Sequence, residues 1–248
     1  MSAFRLVCCM PTYREGSLAR AAVESVRGHV DDIVVWEGPA GTVTLPDGCP
    51  ETALPDVDLW WHAGSWESDP VKRTAMVQWC KQQWHDAPLW ILWLDADEIL
   101  VNAWALRDIV RRQMWEDEQR GASIIKPDNL PTGGIIVRYV ESDGSVAKEW
   151  GRLLRGDLIR RYLVSNLIVE GVNGVQNRLG RRLEDAREWR EPRAKMHGHV
   201  LVLDPPLPGE PFFVHRSHLR HPLRERLRLH EQEHEQLVEL GLPTGAER

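Results

Sequence analysis

Residues 89–100 read LWILWLDADEIL, three carboxylates set directly after an apolar run. If the extended backbone continues through them, Asp95 and Asp97 project to one face. Two carboxylates on one face repel unless a cation lies near them. Oxygen donors of this kind suit Mg2+ or Mn2+, which keep positions open for substrate phosphates. One reading is therefore a divalent ion carrying a phosphorylated ligand. The other is a polar strand end whose acids cap the next helix, where Asn102 offers a further cap.

Other residues could serve the same chemistry. Lys72 and Arg73 stand near the start of DPVKRTAMVQWCKQQWHD, and a cation pair at a helix start can meet phosphate together with backbone N–H groups. Their alternative is a solvated helix face. His197 and His199, in MHGHVLVLD, lie two apart on an expected strand and share a face, either as ligands or as ordinary polar-face residues. His215 follows PFFV and is itself followed by Arg216, His218 and Arg220. The tail holds a literal H-E-x-x-H at His230, Glu231 and His234, which on a helix puts both imidazoles on one face with Glu231 as a base. Its surroundings, RERLRLHEQEHEQ, are charged almost throughout, and no His follows. A solvated helix with chance spacing is the better reading.

These residues need a frame. FRLVCCM, DIVVWEG, VDLWWHA and LWILWLDAD are short apolar runs. Between them, SLARAAVESVRGHV, with Ser17 as cap, and the segment opened by Asp69 and Pro70 carry helical signals. NAWALRDIVRRQMWEDEQR supplies another helix. Continuous apolar strands alternating with helices imply an α/β fold, a mostly parallel central sheet flanked by helices. After Gly121 the texture becomes mixed: ASIIKPDN, GGIIVRYV, RLLRG and HGHVLVLD are short segments broken by Gly, Pro, Asn and Asp. We expect one domain over residues 1–248, with a ligand-binding half to 120, a mixed half over 121–218 and a charged helix over 219–248. A split near 121 is the alternative.

Composition narrows the class. The chain has 248 residues, enough for a sizeable core, with 42% hydrophobic and 27% charged residues, as in ordinary globular chains. A net charge of −6 is mild and gives no reason to expect a nucleic-acid binder that relies on bulk positive field, though a local basic patch stays open in the Arg-rich second half. Acids interleave the Arg-rich segment RLGRRLEDAREWREPR. Cys8, Cys9, Cys49 and Cys80 have neither zinc nor disulfide spacing, which favours a reducing compartment. No run resembles a signal peptide or approaches the ~20 apolar residues of a membrane span. A cytoplasmic protein is expected, in the host cytoplasm if phage-encoded. Trp is over-represented, 12 against 3 Phe and 3 Tyr, and its rings are stacking faces for sugars or bases as well as core bulk.

Three motifs in order carry a family resemblance. VCCMPTYREGSLARAAVESV resembles the opening of a family 2 glycosyltransferase of the GT-A fold: strand, Pro-Thr-Tyr turn, helix. DIVVWEG is similar to the second strand of that family, with Trp36 and Glu37 where two Asp usually stand. WILWLDADEIL is similar to its D-x-D strand, in a variant found in bacterial enzymes that elongate lipopolysaccharide cores, and EPFFVHRSHLR to its late His-containing segment. The likeness covers roughly residues 4–120 well and 150–220 loosely. It implies a GT-A-like fold and transfer of a sugar from a nucleotide-sugar donor, a UDP-sugar by family habit, with inversion. Pro11, Thr12, Tyr13 and Glu15 would line the nucleotide pocket. Glu37 would contact base or ribose, Asp95 ribose or metal, and Asp97 the Mn2+ or Mg2+. His215 would be a further metal ligand or a pyrophosphate contact.

The chemistry suits these residue types. A leaving nucleoside diphosphate gathers negative charge, which a dication and Lys72 or Arg73 would stabilise. An inverting transfer also needs a carboxylate base. Asp128, in KPDNLPTGG, and Glu170, in NLIVEGVNG, are candidates, and each also reads as an ordinary loop acid. The acceptor is a glycan or a hydroxylated base of phage DNA; a small metabolite or a protein would also fit. The alternatives are a nucleotidyltransferase-like enzyme and a non-catalytic module that binds nucleotide-sugar.

Overall fold

The computed structural model describes residues 3–40, 49–123, 131–141, 146–162, 169–170, 175–177, 194–196, 199–202, 208–216 and 219. Its first half alternates as the apolar runs predict: β1 (Arg5–Thr12), α1 (Leu18–Val26), β2 (Asp32–Glu37), β3 (Trp60–Ala63), α2 (Asp69–Gln83) and β4 (Leu89–Trp93). β5 (Glu98–Val101), a 3-10 turn at Ala103–Ala105 and α3 (Leu106–Gln119) follow. The second half adds β6 (Thr132–Glu141), β7 (Val146–Arg155), β8 (Ile159–Tyr162), β9 (Val169–Glu170), β10 (Val175–Asn177), β11 (Ala194–Met196), β12 (His199–Val202) and β13 (Phe212–His215).

The main sheet runs β10-β12-β6-β7-β4-β1-β2-β3. β1 pairs in parallel with β2 and β4, and β2 with β3. β7 is antiparallel to both β4 and β6, so β6 regains the direction of β4. β13 pairs in parallel with β6 and antiparallel with β5, which ties the late chain to the segment just after β4. The result is an α/β fold with a mostly parallel sheet, crossed without a break by both halves of the chain. β8, β11 and β9 form a separate three-stranded sheet.

Strand alternation sorts the core into two layers. Leu6, Cys8 and Met10 of β1 and Trp90 and Leu92 of β4 join Ala19, Ala22, Val23 and Val26 of α1 and Leu106, Ile109 and Val110 of α3 on one face. Val7, Cys9, Leu89, Ile91 and Trp93 meet Met76, Val77 and Cys80 of α2 on the other. Each fully buried large apolar side chain contributes about 1.5–3 kcal/mol, so this two-sided packing is what holds the strand ends in register. All four cysteines are free thiols and buried, as their apolar surroundings predict for Cys8 and Cys9.

Local details depart from the sequence expectation. Ser17 holds the N-cap position of α1 but makes no side-chain capping bond. Ser68, not Asp69, caps α2, its Oγ accepting the Val71 N–H at 3.4 Å. Asp69, placed in the first helical turn, is free to accept from Arg73 instead. Asn102 takes a left-handed conformation, φ 57°, and its Nδ2 donates to the Glu210 carbonyl at 3.0 Å rather than capping. β3 is a parallel strand as expected, yet all four of its residues are exposed because it is the outer edge of the sheet. No helix among the described residues is long and apolar enough to cross a membrane. The segment expected as a tail helix lies outside the described residues except for Leu219.

Candidate ligand site at the strand ends

Ligands of open parallel sheets bind beyond the carboxyl ends of the strands. Here β1, β2 and β4 share one direction, so Thr12, Glu37 and the turn after Trp93 come out on one side.

Pro11 and Thr12 are still paired in β1, opposite Trp36 and Glu37. The chain then bends at Arg14, φ 54°. Glu37 organises that bend. Its Oε2 accepts the hydroxyls of Thr12 and, at 2.9 Å, Thr52; its Oε1 accepts the Arg14 N–H at 2.9 Å. Thr52 in turn accepts the Glu15 N–H at 3.0 Å. A carboxylate with three donors is a fixed part of the wall, and Tyr13 and Glu15 ride on the loop it holds.

The two cations expected for phosphate turn inward. Lys72 is only 2% exposed. Its ammonium donates to the carbonyls of Thr12 at 2.9 Å and Gly38 at 2.8 Å, and lies 4.7 Å from the ring centre of Trp66. Arg73 donates through Nε to Asp69 at 2.7 Å and through Nη2 to Asp95 at 3.3 Å, with its guanidinium 5.1 Å from the Trp93 ring. Both therefore brace the strand ends from the α2 side. Helical spacing alone could not reveal this, because the buried stripe of α2 includes its cations.

The acidic run is a turn rather than a continued strand, which corrects the expectation that Asp95 and Asp97 face the same way. β4 ends at Trp93. The Glu98 N–H donates to the Asp95 carbonyl at 3.0 Å, and Glu98 Oε2 accepts the Asp95 N–H at 2.8 Å. This reciprocal pair reverses the chain into β5. Asp95 is left partly exposed at 27% and joined to Arg73, while Asp97 is buried at 1%. β13 lies against β5 with His215 opposite Glu98, and His215 Nε2 comes within 2.8 Å of Asp97 Oδ2. The Arg216 N–H donates to the Asp97 carbonyl at 2.8 Å, fixing the end of β13 to the acidic turn.

Among the described residues no three His, Cys, Asp or Glu side chains gather as a metal-ligand set. Two of the three expected ligands do meet, Asp97 and His215. Their facing atoms stand 2.8 Å apart, the distance of an ion pair or hydrogen bond between the two side chains and also close to the about 3.0 Å that separates adjacent ligands of an octahedral ion with 2.1 Å bonds. One carboxylate and one imidazole would be a partial donor set for an ion that took its remaining ligands from phosphate and water. Asp95 does not join them; Arg73 holds it.

The base candidates are not brought to this turn by anything described. Asp128 lies outside the described residues. Glu170 is in β9, beside Lys195 of β11 in the small sheet. His199 starts β12 opposite Thr132, while His197, His230 and His234 lie outside the described residues. Residues that sequence reasoning missed are Thr52 and Trp66, and it names Arg216 without a role of its own. Only Arg216 carried a signal, its place directly after His215. Its charge is harder to hold than usual: burial lowers its pKa, partly offset by the carboxylate of Asp97.

No protein-family model matches this chain, and no curated protein matches it.

Proposed function

We propose that this chain is a metal-dependent glycosyltransferase of GT-A type, which moves a sugar from a nucleotide-sugar, a UDP-sugar, to an acceptor hydroxyl with inversion. The observation that carries the reading is the Asp97–His215 pair, with donor atoms 2.8 Å apart, in the turn beyond β4. The parallel ends of β1 and β2 beside it support it further.

The chain's own residues then have these parts. Pro11, Thr12, Tyr13 and Glu15 line the nucleotide side, on a loop kept in shape by Glu37. Asp95, partly exposed and oriented by Arg73, accepts from a ribose hydroxyl. Lys72 keeps the ends of β1 and β2 together. Asp97 and His215 hold Mn2+ or Mg2+, which when bound supplies the charge that stabilises a departing diphosphate. A carboxylate takes the acceptor proton, with Asp128 and Glu170 as candidates. The acceptor is a glycan or a hydroxylated base of phage DNA, in the cytoplasm of the cell that makes the chain.

The test is a thermal-shift panel of nucleotide-sugars with and without Mn2+, followed by diphosphate release. Stabilisation should require donor and metal together and vanish in Asp97→Ala. Turnover of nucleoside triphosphates without use of nucleotide-sugar would replace this reading with nucleotidyl transfer. Donor binding with no diphosphate release across candidate acceptors would leave a binding module.

A further inference from the structure

We propose that Arg216 is the phosphate-recognising residue of this site, taking the diphosphate of a nucleoside diphosphate group. The inference rests on the nucleotide-sugar reading above and deepens it. It also moves the role away from Lys72 and Arg73, where helix position alone would put it.

The cations at the strand ends differ in what already holds them. Lys72 is held by two main-chain carbonyls and a tryptophan ring, and Arg73 by two carboxylates and another ring. Turning either toward a ligand would strand buried polar partners. Arg14 reaches outward to Glu51 at 2.8 Å. Among the described residues, Arg216 is held by fewer side-chain contacts than either. Its Nη2 has one long contact, 3.4 Å to the Leu18 carbonyl at the start of α1. Its Nε is shielded from solvent and has no hydrogen-bond partner. An unmatched N–H on a partly buried guanidinium is costly, and an anion is the partner that would offset it.

Position supports the same conclusion. The Arg216 N–H is bonded to the Asp97 carbonyl, and the preceding residue supplies the imidazole that meets the Asp97 carboxylate. The guanidinium therefore lies between the acidic turn and the start of α1. The surroundings are rich in acids: Asp95, Asp97 and Glu98 occupy the turn. A polyanionic ligand needs a cation there besides any ion at Asp97 and His215. The planar fork of Arg also suits two phosphate oxygens at once, which a lysine ammonium does not.

The experiment is calorimetric titration of the full chain with uridine, UMP and UDP in the presence of Mn2+, for the unmutated protein, Arg216→Gln and Arg216→Lys. UDP should bind the unmutated protein far more tightly than uridine. Arg216→Gln should weaken UDP by about 10-fold or more and leave uridine unchanged, with Arg216→Lys between them. If Arg216→Gln does not fold, judged by its unfolding transition, Arg216→Lys carries the comparison. Equal weakening of uridine and UDP would assign Arg216 a purely structural role and overturn the proposal, as would unchanged UDP affinity in both variants. Failure of the unmutated chain to bind UDP at all would remove the nucleotide-sugar reading itself, and the inference with it.

Discussion

The Lys72 ammonium donates to the Thr12 carbonyl at 2.9 Å from a site that is almost closed to water. With its second bond, to Gly38, it ties the end of β1 to the residue just past β2. A cation in this position is part of the scaffold on which the ligand-facing loop is built.

Lys72→Met should therefore destabilise the protein strongly. It keeps most of the volume but leaves the Gly38 carbonyl without its ammonium partner and strips one donor from Thr12. Two charge-assisted bonds are lost, offset in part because a buried charge is also removed, for a net cost of about 2–4 kcal/mol. Urea unfolding measures it. An unchanged midpoint would show that the ammonium is not needed to hold these strands.

Gly38→Ala should be worse tolerated than its size suggests. Gly38 has φ 139°, and a Cβ there would sit 1.7 Å from the Gly64 carbonyl oxygen. The Gly64 N–H in turn donates to the Glu37 carbonyl, so the two segments cannot simply separate. A loss of about 3 kcal/mol or more is expected, read as soluble yield and melting temperature.

Asp97→Asn should separate metal affinity from folding. The amide fits the same volume, but a neutral group is a poor ligand for a hard dication, and Mn2+ should bind at least about 10-fold more weakly. The free Mn2+ signal in electron paramagnetic resonance measures this directly. Asp108→Asn, on the exposed face of α3 in an ion pair with Arg111, should leave it unchanged.

Alkaline pH should destabilise the fold through its thiols. Burial, reinforced by the charge of Glu98, pushes the Cys8 thiol well above its usual range; burial and the neighbouring Cys80 thiol do the same for Cys9. The native state thus keeps its protons while the unfolded chain releases them above about pH 8.5. The stabilising contribution is complete below that pH and declines as pH rises toward the elevated native values. Each thiol should add a slope of ~1.4 kcal/mol per pH unit. Comparing urea midpoints of the unmutated chain and Cys8→Ala from pH 7 to 10 tests this: the two curves should converge as pH rises. Parallel curves would rule out the linkage.

Much of this architecture is written in local patterns. Continuous apolar runs mark β1, β2 and β4 because both of their faces are covered, and Pro70 marks the first turn of α2. Asp97 and His215 meet at the turn where the motifs point. Two kinds of information are not local. The direction of a cation on a helix depends on what lies beneath it: Lys72 and Arg73 look like a solvated or ligand-facing pair until the carbonyls of Thr12 and Gly38 and the carboxylate of Asp95 are placed under them. The backbone path through DADEIL depends on Glu98 folding back to the Asp95 N–H, a bond that no period-two pattern encodes. The pairing of β13 between β5 and β6 joins distant segments, and no spacing in the sequence announces it.

That last pairing also bears on how the protein is made. Synthesis proceeds from the amino end, so the strands from β1 to β4 emerge long before β13, which carries His215 and is followed by Arg216. A ribosome-bound or prematurely terminated chain therefore lacks Leu153 and Leu154 of β7 and Phe213 of β13, which complete the buried layers on the two faces of that core. Arrested or truncated translation products of this gene would then leave apolar surface open on the sheet until β7 and the final edge have docked.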